Sequence, residues 1–83
     1  MDFGQMLNAL KQGAKAARKG WNGKGQYIEI VKNLSYRGSD GKIVNADHKT
    51  MGKQAIAFIG TSGVQIGWLA SQADMLSDDW YVV

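Results

Sequence analysis

The sequence predicts an α+β fold: a small antiparallel β-sheet packed with one N-terminal α-helix, and a short helical turn near the C-terminus. Three observations carry this. Apolar residues recur at helical spacing near the N-terminus, where Phe3, Met6, Leu7 and Leu10 fall at i, i+3, i+4 and i+7. Gln26 to Val31 is rich in β-branched and aromatic residues. Two further apolar runs are separated by Gly60-Thr61-Ser62-Gly63 at the spacing of a β-hairpin.

Each element follows from local chemistry. Asp2 caps the helix, with Gln5 placed to return a hydrogen bond to the cap, and the helix runs to about Gln12 before Gly13 stops it. Ala14 to Arg18 reads as a short strand with Ala14 and Ala16 on one face. Gly20, Gly23 and Gly25 surround Trp21, Asn22 and Lys24, a turn carrying a tryptophan. Gln26 to Val31 is the firmest strand, with Tyr27 facing opposite to Ile28 and Ile30.

Lys32 to Lys53 is mostly polar and reads as a long, partly mobile excursion, with a turn at Gly38 to Gly41, a short strand at Ile43-Val44 and His48 near its end. Gln54 to Ile59 and Val64 to Trp68 form the hairpin. Ser71 caps one helical turn through Leu76, in a Ser-x-x-Asp pattern with Asp74. Trp80 to Val83 is the last strand, and Trp80 belongs to the core.

With 83 residues and no linker-like stretch, residues 1–83 make one domain. A core of this size supplies only about 3–5 kcal/mol. Cysteine is absent and histidine occurs once, which excludes disulfides and leaves no set of His and Cys ligands for a metal. Oligomerisation is the remaining means of added stability. No apolar run reaches the roughly 20 residues of a membrane span, and the N-terminus lacks the features of a signal peptide, so a soluble cytoplasmic protein without membrane contact is expected.

The net charge is +3, with basic residues in Lys11 to Lys24 and Lys49 to Lys53 and acid late, at Asp74, Asp78 and Asp79. That excess suits a small anionic ligand better than the phosphate track of DNA. No catalytic residues are assigned: His48, Ser71 and Asp74 make an implausible triad, and Asp78-Asp79 reads as a solvated turn. The glycines of Gly20 to Gly25 match neither phosphate-loop pattern. No cofactor and no metal site is expected.

Trp21 and Trp68 have two readings. Either both rings pack over the core or a subunit contact, or Trp21, Tyr27 and Trp68 stack on a base with Lys24 or Arg18 near phosphate. Arg18 to Gly25 and Trp68 to Trp80 closely resemble a phage family, the second type of Thoeris anti-defence protein. The likeness extends to Phe3 to Gly13 and to the hairpin through Gly63, and so covers most of the chain outside Lys32 to Lys53.

The resemblance implies a phage sponge acting in the host bacterial cytoplasm. Members of the family sequester the cyclic ADP-ribose-type signal of Thoeris immunity without cleaving it, and some hold cyclic dinucleotides of the related CBASS defence. It further implies a homotetramer with ligand sites shared between subunits. Carried over by position, Trp21 and Trp68 would sandwich or cover base and ribose, Tyr27 would add an aromatic wall, and Asn22, Gly23, Ala70, Ser71 and Asp74 would make polar or backbone contacts. The chain departs from the family in lacking proline, with Gly67 where one commonly precedes the Trp68 motif, and in its middle loop. Two competing readings are a small phage protein that binds a host protein through its Trp-rich surface, and a nuclease or phosphodiesterase.

Overall fold

The structure, a computed structural model, describes residues 1–48 and 54–83. The basic segment Lys49 to Lys53 therefore lies outside the described residues. The elements are α1 (Phe3–Lys11), β1 (Ala16–Arg18), β2 (Tyr27–Lys32), β3 (Tyr36–Arg37), β4 (Ile43–Val44), β5 (Gln54–Gly60), β6 (Gly63–Ile66), α2 (Gln72–Leu76) and β7 (Trp80–Val82). They make an α+β fold with a five-stranded antiparallel sheet in the order β6-β5-β2-β1-β7.

Helix α1 begins as its sequence requires. The Asp2 carboxylate accepts from the Gln5 backbone N–H at 2.7 Å, and the Gln5 side chain accepts from the Asp2 N–H at 2.9 Å. Two otherwise orphaned donors are thereby satisfied. Beyond the helix, Gly13 adopts φ +96°, and the N–H of Ala14 still donates to Ala9. That bond corrects the expected strand from Ala14: Ala14 belongs to the closure of the helix, and β1 starts at Ala16. Ala16 and Ala17 are both buried although they face opposite ways.

The core lies between α1 and one sheet face. Met6 and Leu10 meet Ala16, Ile28 and Trp80, each at most 2% exposed. Full burial of side chains such as Met6, Leu10 and Ile28 contributes about 1.5–3 kcal/mol each. Trp80 is held further by its backbone N–H, which donates to Met1, and by its ring, edge-on to Phe3 at 5.9 Å.

Register assigns the two faces. Ile28 pairs with Phe58 and Ile30 with Ile56 on the helix side, while Tyr27 pairs with Ile59 and Glu29 with Ala57 on the other. Strand β2 runs one residue later than its sequence suggests, from Tyr27 to Lys32. The hairpin turns on Thr61-Ser62, since Gly60 pairs with Gly63, whose φ of +123° suits only glycine.

Trp68 does not stand at the end of a strand: β6 stops at Ile66. Gly67 takes φ +89°, and the N–H groups of Gly67 and Trp68 both donate to the Ile56 carbonyl at 2.9 Å. The chain is thus folded back over the helix-side face. The middle excursion also holds more order than its polarity suggests, since β3 and β4 form a separate two-stranded ladder around a turn at Gly38 to Gly41. No helix is long and apolar enough to cross a membrane among the described residues.

Candidate functional site

The site is assembled where the Gly20 to Gly25 loop meets α2 and the start of β7. Ser71 and Asp74 form the expected reciprocal cap. The Asp74 N–H donates to Ser71 Oγ at 3.0 Å, and the Ser71 N–H donates to Asp74 Oδ2 at 2.9 Å. This leaves Asp74 Oδ1 to accept from Arg18 Nη1 at 2.8 Å and from the Trp21 indole Nε1 at 3.2 Å. The Asp74 carbonyl takes the indole N–H of Trp80 at 2.9 Å. One short helix thereby fixes the orientation of two tryptophans.

Arg18 completes the frame from the other side. Its Nε donates to Asp79 Oδ1 at 2.9 Å, and Asp79 Oδ2 accepts the N–H of Gly20 at 2.9 Å. Asp79 is therefore not part of a merely solvated turn: it ties the tryptophan loop to β7, and the Lys19 N–H donates to its carbonyl as well. Arg18 faces two carboxylates, which raise its pKa further above its ordinary value and commit its charge inside the protein. Burial pushes the Asp74 carboxyl up, but the Ser71 N–H, Arg18 and the Trp21 indole outweigh it and hold the carboxyl below its usual range. Asp79 is held below its usual range chiefly by Arg18, against a desolvation cost, with help from the Gly20 N–H.

On this frame the rings form a cluster. Trp21 lies edge-to-face against Phe58 at 5.5 Å, Trp80 at 5.2 Å and Trp68 at 6.2 Å. Trp80 is core, whereas Trp21 and Trp68 are half-buried and pack against it. The planes of Trp21 and Trp68 meet at 68° with the rings in contact, so within one chain they leave no parallel-walled slot for a base. They can cover a ligand from one side.

The predicted residues are only partly brought together. Trp21, Asn22, Gly23 and Lys24 line one cleft of about 290 Å³, with Lys19 beside them. Trp68 joins through its contact with Trp21, and Ser71 and Asp74 through hydrogen bonds, with Ala70 half-buried between Trp68 and Ser71. Tyr27 is not among the residues lining the cleft, but it shares the sheet face of Ala17 and Tyr81, which do line it, with Lys15 Nζ 4.9 Å above its ring. Lys24 is exposed at the cleft, and the carboxylates of Asp74 and Asp79 pair with Arg18 instead of with it.

Phe58, Lys19 and Asp79 were not legible as site residues. The Arg18–Asp79 ion pair spans 61 residues of sequence, and no local pattern marks it. No group of three or more His, Cys, Asp or Glu side chains is placed to hold a metal among the described residues.

A family model described as the Thoeris anti-defense 2-like domain matches residues 1–83. The chain is also 37% identical over 89 aligned residues to a relative named "Thoeris anti-defense 2" from Bacillus phage SP01, covering 100% of this chain and 94% of the relative.

Proposed function

From the premise that this chain belongs to the Thoeris anti-defense 2-like family and has a phage anti-defence role against Thoeris, we propose that it acts as a sponge. It binds a cyclic nucleotide signal of the glycocyclic ADP-ribose type, and cyclic dinucleotides of CBASS immunity as further ligands, and sequesters them without cleavage in the host cytoplasm. The observation that carries this reading is Trp21. It is a half-buried ring oriented by Asp74, at the mouth of a cleft that also presents Lys19 and Lys24. A preset aromatic surface beside uncommitted positive charge suits a base joined to phosphate, and stacking on such a ring contributes about 1–3 kcal/mol per base.

The same reading makes the protein a homo-oligomer, a tetramer with sites shared between copies. Two features support it. Trp21 and Trp68 supply one face of a base site, so an enclosing second face has to come from outside the chain. The sheet face away from α1 presents Tyr27, Val31, Ile59, Val64, Ile66 and Tyr81, with Glu29 and Lys15 its charged residues among them. An antiparallel sheet with one solvated face ordinarily alternates apolar with polar residues, and this one does not. Leu69 and Leu76, 90% and 81% exposed beside the tryptophans, are the observation that favours a protein contact on that side.

Isothermal titration against cyclic ADP-ribose isomers and cyclic dinucleotides, followed by ligand recovery after heating, tests the proposal. Saturable binding with intact release is expected. Recovery of a hydrolysed product would replace the sponge with an enzyme, and absence of binding to every nucleotide would leave the host-protein reading.

A further inference from the structure

We infer that the ligand site extends across Gln26 into the β5–β6 hairpin, where a neutral, hydroxyl-bearing part of the ligand such as a ribose is held. The inference rests on the nucleotide-binding reading above and adds a subsite to it. A second cleft of about 210 Å³ lies over the turn of the hairpin, lined by Gln26, Phe58, Thr61, Ser62, Val64 and Gln65 around Gly60 and Gly63. It exists because of the glycines. A Cβ on Gly60 would come within 2.7 Å of the Phe58 ring, and Gly63 holds a φ that side chains rarely adopt.

The two clefts share Gln26. Gln26 precedes the Tyr27–Ile59 pair by one residue, so it faces like Ile28 and Phe58, toward the tryptophan side. Its amide lies against Gly23, where an added Cβ would sit only 2.1 Å from the Gln26 Cδ. The ring of Trp21, which lines the first cleft, packs on Phe58, which lines the second. Gln26 is thus where the two linings meet, and a ligand that reached from one cleft to the other would pass along it.

The chemistry of the two halves differs. The first presents Lys19 and Lys24; the second has no ionisable side chain in its lining. Instead it gathers two hydroxyls and two carboxamides beside Phe58 and Val64; Thr61, Ser62 and Gln65 are exposed, and their side chains, like that of Gln26, make no hydrogen bond to another described residue. Concave surfaces whose donors and acceptors lack protein partners recognise neutral polar groups, and a hydroxyl or amide matches vicinal hydroxyls in both roles. Phosphate belongs on the lysine side, where charge compensates its desolvation.

Titration calorimetry with a glycocyclic ADP-ribose isomer on four proteins tests this: the unaltered chain, Trp21→Ala, Gln26→Ala, and Thr61→Val combined with Ser62→Ala. Thermal unfolding of each reports on the fold. Gln26→Ala and the hairpin variant are expected to weaken binding about tenfold at a nearly unchanged melting temperature, the loss of one or two hydrogen bonds. Gly23→Ala, which pushes the Gln26 amide aside, is expected to copy Gln26→Ala. If Trp21→Ala loses the ligand while the hairpin and Gln26 variants bind as the unaltered chain does, the subsite is refuted and the nucleotide reading stands. If the unaltered chain binds no cyclic nucleotide, both are refuted.

Discussion

The Trp21 side chain makes a single polar contact, the indole N–H donated to Asp74 at 3.2 Å. Trp21→Phe keeps an aromatic ring against Phe58 and Trp80 but loses that bond. A stability loss of about 1 kcal/mol is expected from denaturant unfolding, with weaker ligand binding because the ring is free to turn. Arg18→Ala is more damaging, since it leaves the nearly buried Asp74 carboxylate without its cation. A loss of about 2–4 kcal/mol is expected, less than for a fully buried pair because the guanidinium retains some solvent. Asp74 and Asp79 also set an acid limit. Both carboxyls are held below their ordinary values, so their contribution is present above an unfolded pKa near ~4 and is lost as pH falls through the folded values. Melting temperature is expected to hold steady between about pH 7 and 5 and to fall below about pH 4, with a shallower acid fall in Asp79→Asn.

Helix α1 is the element that makes a sheet of short strands into a core. Its buried stripe is only Met6 and Leu10, so each carries a large share. Leu10→Ala is expected to cost about 2–5 kcal/mol, the spread reflecting how far the site collapses. Asp2→Ala removes the side-chain acceptor for the Gln5 N–H while leaving the backbone N–H that donates to the Gln5 side chain, and is expected to cost about 0.5–2 kcal/mol, measured by the same chemical unfolding. Helix α2 is too short to persist on its own. Its Ser71–Asp74 box, the Trp80 indole N–H on the Asp74 carbonyl and the Arg18 ion pair hold it in place, so its value lies in fixing Trp21 and Trp80.

At the scale of the whole molecule, an 83-residue chain with a thin core leaves an apolar sheet face uncovered. Ile66→Lys on the edge strand β6, where the side chain is half exposed, is expected to leave the fold intact and break the proposed assembly. Light scattering coupled to size exclusion would then report a monomer. An oligomer of unchanged mass would exclude this face as the interface.

The sequence by itself determined the elements whose causes are local. The Asp2–Gln5 and Ser71–Asp74 boxes, the i, i+3, i+4 stripe of α1, the β-branched run of β2 and the Thr61-Ser62 turn all follow from residues within a few positions of one another. Trp21, Asn22, Gly23 and Lys24 were legible as one turn for the same reason: they are consecutive. Tertiary structure alone decided the rest. It placed Tyr27 on the sheet face away from α1, with Ala17 and Tyr81, because strand register assigns the face. It committed Arg18 to Asp74 and Asp79 instead of a phosphate, and joined Gln26 to the hairpin cleft. Those contacts form between residues far apart in the chain, where charge and shape become neighbours only after the strands have paired.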